Sequence, residues 1–305
     1  MPTSPSNTYH VPVLLNECLE GLNINPDGIY VDLTFGGGGH SRAILNKLSN
    51  NGQLYAFDKD KDSVKNTIED ERFCLINDDY SNMTKQLRLY RVTQVDGILA
   101  DLGISSHQID TSERGFSFRS DAPLDLRMNV DTAFTAADII NSYTEEQLAG
   151  LFFSYAEIPN AKQTAKMICK KREEQYIATT TELCGILKSL TKPNIENKFF
   201  AKIFQALRIE VNDELSSLDS MLNQCEGMLK SQGRLAVISY HSLEDKKVKE
   251  LIRSGNTKGI IEKDFYGNVN TPYKPITRKP ITPSEEEICN NSRARSAKLR
   301  IAEKK

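Results

Sequence analysis

Four glycines in a row, Gly36, Gly37, Gly38 and Gly39, stand between Asp32 and the pair His40-Ser41. Glycine tolerates φ > 0 and has no Cβ, so such a turn lets a ligand touch backbone N–H groups where a helix begins. A phosphate-cradling loop would end in Gly-Lys-Ser/Thr, and Gly39-His40-Ser41 has no lysine. The dinucleotide fingerprint would need a third glycine where Ser41 stands. Asp32 before the glycines and Asp58 after the next apolar run suit a ligand with an amino group and a ribose diol. S-adenosylmethionine has both and lacks a pyrophosphate. The competing reading is an ordinary glycine-rich turn.

Asp101 opens the segment Asp101-Leu102-Gly103-Ile104-Ser105-Ser106 at the place where methyltransferases of exocyclic amines hold a short acceptor motif. The position matches; the prolines and the aromatic of that motif are absent. An exocyclic amine delocalises its lone pair into the base, so methylation needs an acceptor for its N–H groups as the nitrogen rehybridises. Asp101 is therefore a candidate catalytic residue or cofactor ligand, or else a carboxylate that only caps the next turn. His241, after a later apolar run, is the second catalytic candidate, while His40 suits orienting the glycine turn. Arg114-Gly115-Phe116-Ser117-Phe118-Arg119 interleaves aromatics with cations, which suits an unstacked base and its phosphates. The alternative is that Phe116 and Phe118 anchor a core. Arg293 and Arg295 begin a basic C-terminal run, read either as phosphate contacts or as a solvated tail.

Strands must carry these residues to one place. Residues 29–33, 54–58, 73–76 and 95–100 read as strands, and residues 41–48 and 81–90 as helices, so the alternation predicts a parallel doubly wound sheet. In such a sheet ligands sit beyond the carboxyl ends, where the glycines, Asp58, Tyr80 and Asp101 all fall. From about Gln108 to about Asn197 the alternation stops, and Thr144 with Gln147 and Thr179 with Glu182 form capping boxes ahead of helices. The expected organisation is a core of residues 1–107 and 198–305 around a helical insertion, 108–197. One long amphipathic helix carrying Phe204, Leu207, Val211, Leu215, Leu218 and Leu222 follows, closed by a turn at Gly233. A strand over 235–238, a long loop with edge strands over 256–283 and a strand over 297–302 complete the reading.

At 305 residues and 39% hydrophobic content, the chain suffices for one large domain or two. No apolar run approaches the roughly 18 residues of a membrane span, and residues 1–8 lack the pattern of a signal peptide, which points to the cytoplasm and no membrane. Six cysteines without CxxC and four histidines without HExxH suggest no metal site and no disulfide framework. The net charge of -2 argues against bulk attraction to nucleic acid, so the distribution of the cations matters more than their sum.

Taken in order, the motifs resemble one family, the bacterial 16S ribosomal RNA cytosine-N4 methyltransferases, or MraW family. The matching segments are His10-Val11-Pro12-Val13-Leu14-Leu15, Thr34 through His40, Asp101 through Ser106, Glu113 through Phe118, Pro123-Leu124-Asp125-Leu126-Arg127-Met128, Ser239-Tyr240-His241-Ser242-Leu243-Glu244-Asp245 and Arg293-Ala294-Arg295-Ser296. The resemblance spans nearly the whole chain. It implies a class I S-adenosylmethionine-dependent methyltransferase core, Rossmann-like, with a helical inserted domain that recognises substrate. It also implies S-adenosylmethionine as donor and one decoding-centre cytidine of 16S rRNA, within the small ribosomal subunit, as target; a homodimer is left open. Carried over by motif, the cofactor contacts are Gly38, Gly39, His40, Asp58, Tyr80, Asp101 and Gln108. Gly37, His107, Ser292 and the run Tyr155-Ala156-Glu157-Ile158-Pro159 depart from the family's usual residues. Two rivals are kept: a nicotinamide-dependent oxidoreductase, since Asp58 follows Gly36 by 22 residues, and a ribosome-assembly factor that binds RNA without catalysis.

Overall fold

The computed structural model describes residues 12–267 and 269–305, which leaves residues 1–8, His10 and Val11 of the sequence reading outside it. One sheet contains β1 (Ile29–Asp32), β2 (Gln53–Phe57), β3 (Phe73–Ile76), β4 (Val95–Asp101), β5 (Leu229–Ser239), β6 (Tyr273–Pro275) and β7 (Lys298–Lys304). The order is β3-β2-β1-β4-β5-β7-β6; β1 to β5 run parallel, β7 is antiparallel to β5, and β6 closes the edge. Register brings the carboxyl ends level: Asp32 lies beside Ala56 and Leu99, and Asp101 beside Ile238. The strand order reverses between β1 and β4, the place where a doubly wound sheet opens a crevice.

In chain order the helices are α1 (Leu15–Leu22), α2 (Gly39–Leu45), α3 (Met83–Leu89), α4 (Ser106–Asp110), α5 (Ala136–Ser142), α6 (Glu145–Leu151), α7 (Ala161–Arg172), α8 (Thr180–Leu187), α9 (Glu196–Val211), α10 (Glu214–Met228), α11 (Ser242–Ser254) and α12 (Glu285–Asn290). The chain divides into two compact units, one of residues up to Gly103 with Leu218–Lys305, the other Ile104–Ser217.

In the first unit the two-residue period of the strands sorts the core into two layers. Val31, Leu33, Ile98, Ala100, Leu235 and Val237 pack with Met83 and Leu87 of α3, Met221 and Leu222 of α10, and Val248 and Leu251 of α11. Tyr30, Leu54, Leu99, Ala236 and Ile238 pack on the other face with Leu22 of α1 and Ile44 and Leu45 of α2. Burial on both faces is why these strands read as continuous apolar runs.

The second unit has its own core, in which Ile139, Leu148, Phe152, Ile168, Leu183 and Leu187 meet Phe199, Phe200, Ile203, Phe204 and Leu207 of α9. The boundaries therefore lie outside the expected 108–197, because α9 buries its apolar face here rather than on the sheet. Capping boxes at Thr144 and Thr179 start α6 and α8. A further box, Thr135 with Asp138, starts α5.

Two expectations are corrected. The long helix over 204–222 is two helices, because Asn212 bonds the Arg208 and Leu126 carbonyls and the Met128 N–H, and Asp213 adopts φ 48°. A side chain that competes for backbone groups ends a helix whose apolar period runs on. Gly233 does not close that helix either: α10 ends at Met228, and the positive φ falls on Gln232. Gly233 lies within β5, where a Cβ would stand 2.9 Å from the Lys230 carbonyl oxygen.

Candidate active site

The glycine turn is fastened to β1 by Asp32. This carboxylate, 1% exposed, accepts from the Thr34 N–H (3.1 Å) and the Ser41 O–H (2.6 Å). Ser41 thus uses a hydroxyl to tie α2 to β1, where the dinucleotide fingerprint uses a glycine for close packing. The reading of Asp32 as a partner for a ligand's amino group is corrected, since the side chain is buried within the turn it closes. Burial also pushes the Asp32 carboxyl up from its usual range.

Gly36 and Gly38 adopt φ 51° and 75°. A Cβ on Gly38 would lie 2.6 Å from Arg42 Nη1 and 2.8 Å from the Phe35 ring, and one on Gly39 would lie 2.3 Å from Pro12 Cγ. One on Gly37 would meet nothing within 4 Å, so the turn has room for a side chain at that position. Arg42 donates to the Gly37 carbonyl (2.6 Å) and Asn66 to the Gly36 carbonyl (3.0 Å), holding the turn from its outer side.

Asp58, just past β2, accepts the Gly36 N–H at Oδ2 (2.7 Å) and the Asp60 N–H at Oδ1 (2.8 Å). Burial pushes its carboxyl up to about 6 against these bonds, and the Asp60 and Asp32 carboxylates add to the rise. Asp101, the last residue of β4, has its N–H on Thr34 Oγ1 (2.6 Å) and accepts the Tyr240 O–H at Oδ1 (2.8 Å). Burial pushes it up to about 6 as well, while His40 and the Tyr240 bond pull it down. Tyr240, just past β5, is a functional candidate that the sequence reading missed. Parallel register between β4 and β5 sets its hydroxyl on Asp101, and only the strand order reveals that. Burial and the Asp101 charge hold its phenol well above the usual range.

His40 spans the same corner. Its Nε2 lies 3.1 Å from the Val13 carbonyl oxygen, which can only accept, so Nε2 carries a hydrogen, and Nδ1 lies 3.8 Å from Asp101 Oδ2. Tyr80 is half-buried in a 3-10 turn past β3, where Asp79 accepts the Ser81 N–H. The glycines, His40, Asp58, Tyr80, Asp101 and Tyr240 therefore all belong to the carboxyl end of one sheet.

His241, the second catalytic candidate, is the N-cap of α11. Its Nδ1 accepts the Glu244 N–H that starts α11 (3.4 Å), and Glu244 Oε2 returns to the Tyr240 N–H (2.9 Å). The Nε2 atom lies 3.1 Å from Glu244 Oε1 without hydrogen-bond alignment. His-Ser-Leu-Glu was legible as a capping box only with histidine admitted as the cap.

In the second unit Gln108 is buried at the third position of α4, its Oε1 accepting the Ser105 N–H (3.0 Å). Arg114 is buried too and donates to the Arg127 and Met128 carbonyls (2.9 and 2.8 Å). Phe116 lies in the core of this unit, and Phe118 packs at 6.0 and 5.6 Å from the rings of Phe200 and Phe204. Phe116 and Phe118 thus pack as the anchoring alternative had it; Arg119 is exposed. The basic C-terminal run is no solvated tail, because Lys298–Lys304 is β7 and Arg300 is paired with Asp245 at 2.6 Å. Arg293 is half-buried and Arg295 exposed in the 3-10 turn before it.

Among the described residues no helix is long and apolar enough to cross a membrane. The family model described as the MraW methylase family matches residues 7–305. Proteins named ribosomal RNA small subunit methyltransferase H are 52% identical in Bacteroides thetaiotaomicron, covering 98% of both chains, and 53% identical in Christiangramia forsetii, covering 97% of this chain and 98% of that one. The protein of that name in Cytophaga hutchinsonii is 54% identical and covers 97% and 99%. A family model that matches almost the full length, with relatives more than half identical over 97–98% of it, places this chain in the MraW methylase family.

Proposed function

We propose that this enzyme uses S-adenosylmethionine to methylate the exocyclic N4 of one decoding-centre cytidine in 16S rRNA, within the small ribosomal subunit. The observation that carries the reading is Asp101, a carboxylate at the central crevice held by Tyr240 and faced by His40. The site's chemistry fits the cofactor: Asp58 offers lone pairs to a ribose diol, Gly37 leaves open space above the turn, and the half-buried carboxylates Asp58 and Asp101 favour a cationic ligand. Gly38, Gly39, His40, Asp58, Tyr80 and Asp101 would hold it, and the family resemblance adds Gln108. When bound, S-adenosylmethionine supplies an electrophilic methyl group on a sulfonium.

Asp101 would accept an N–H of the cytosine amine, drawing the nitrogen lone pair out of the ring. Tyr240 fixes Oδ1, so Oδ2 keeps lone pairs for that donor. With the carboxyl near 6, Asp101 is ionised at neutral pH yet basic enough to share the departing proton. The Ser41–Asp32 bond supports this reading over the nicotinamide rival, whose fingerprint needs glycine at that position. The second unit is assigned to substrate recognition, with Arg119, Arg293 and Arg295 as candidate phosphate contacts. Deleting the gene and analysing 16S rRNA nucleosides tests the proposal: N4-methylcytidine should vanish from the decoding centre, and its persistence would refute the assignment.

A further inference from the structure

Helix α7 of the second unit carries cations that helix stability does not explain. Lys162, Lys166 and Lys170 are exposed and spaced by four residues, so they form one stripe about 12 Å long. Lys170 and Lys171 lie in the last turn, where cations complement the helix dipole, but Lys162 is the second residue of the helix and opposes it. Neither Lys162 nor Lys166 forms an ion pair among the described residues. Between residues 161 and 202 nine Lys and Arg face four Asp and Glu, in a chain whose net charge is -2.

Beside the stripe, a cavity of about 570 Å³ lies between α7 and α8. Met167, Ile177 and Ile186 give it apolar lining, Lys170 and Lys171 bring cations to it, and Tyr176 lines it while remaining 56% exposed. Its two carboxylates are engaged within the protein. Glu182 accepts the Ala178 and Thr179 N–H groups (2.7 and 3.0 Å), and Glu174 pairs with Lys171 (2.6 Å). An exposed aromatic ring beside an apolar hollow, with cations alongside, matches the chemistry of an unstacked nucleotide.

We propose that this groove binds a single-stranded segment of the RNA substrate, with Tyr176 stacking on one base and Lys162, Lys166 and Lys170 holding the neighbouring phosphates. The inference rests on the reading of RNA as substrate. The test compares full-length wild type, Tyr176→Ala, Tyr176→Phe and the triple variant Lys162→Ala/Lys166→Ala/Lys170→Ala, all altered at exposed positions. Each is titrated with a fluorescein-labelled unstructured oligoribonucleotide and with unmethylated small subunits over a range of salt, and assayed for methyl transfer.

Tyr176→Ala should weaken both complexes about tenfold or more and raise KM with kcat retained, while Tyr176→Phe keeps wild-type affinity. The triple variant should flatten the slope of log K against log salt by about 2. Unchanged affinity and slope, in a protein whose wild type methylates small subunits, would overturn the groove and leave the methyltransferase reading standing. A wild type that neither binds nor methylates RNA would overturn both. Weakening confined to small subunits, with normal oligoribonucleotide binding, would assign the groove to a ribosomal protein and also overturn the proposal.

Discussion

Asp101 is held at a cost to the fold. Its carboxyl lies near 6 when folded against 3.8 for the isolated group, so the neutral form stabilises the protein fully below 3.8 and that stability is lost as pH rises through 6. Asp101→Asn keeps an acceptor for Tyr240 and removes the charge. It should raise stability at pH 8 by up to about 3 kcal/mol, with the gain gone at pH 3.5, while methyl transfer is abolished. Thermal melts at the two pH values check the first part, and a tritiated-methyl assay the second. Transfer by wild type should rise with pH through about 6 as Asp101 ionises. Tyr240→Phe removes a bond that lowers the Asp101 carboxyl, so a pH–rate profile of that variant should show its inflection moved upward and its plateau reduced about 100-fold. Asp101 was legible because a carboxylate closing an apolar run marks a strand end. Tyr240 was not, because its partner lies 139 residues away and meets it only through β4–β5 pairing.

At the scale of elements, a turn tests the local argument. Gly37 has open space and no positive φ, so Gly37→Ala should raise stability by about 0.4–1 kcal/mol, whereas Gly38→Ala should cost at least 1–2 kcal/mol from its left-handed φ and the clash with Phe35. Urea unfolding of the two variants separates them. The loop that starts the second unit gives a parallel contrast: Arg114→Ala leaves the Arg127 and Met128 carbonyls without this donor and should cost about 1–3 kcal/mol. Strands β1, β2 and β4 were legible because both faces are buried, and the threonine caps because their partners sit three residues on. The break at Asn212 was not, since the apolar period continues across it and the side-chain bonds that end α9 reach Leu126 and Met128, more than 80 residues back. Arg114 misled for a related reason: a cation between aromatics reads as a surface feature until its carbonyl partners fold around it.

For the whole molecule, the net charge of -2 means that bulk attraction cannot steer the chain to RNA, so any electrostatic contribution must come from local patches. The C-terminal region shows how such a patch is selected. Arg300 is taken up by Asp245, Arg234 by Glu303, and Lys304 by the Glu226 and Leu229 carbonyls. These cations hold β7 against its neighbours and have little charge left to offer a phosphate. Arg295 differs, being exposed on the turn that leads into the strand. Arg295→Ala should therefore leave the melting temperature within about 1 °C of wild type, as surface substitutions do. It should also lower the slope of log K against log salt for small subunits by about 0.7–0.9, the signature of one phosphate contact. Arg300→Ala should do the reverse, destabilising the fold by removing the shorter of the two cation contacts to Asp245, which keeps Lys298 at 3.6 Å, while leaving the salt slope unchanged. Equal salt slopes for wild type and Arg295→Ala would remove Arg295 from the RNA interface.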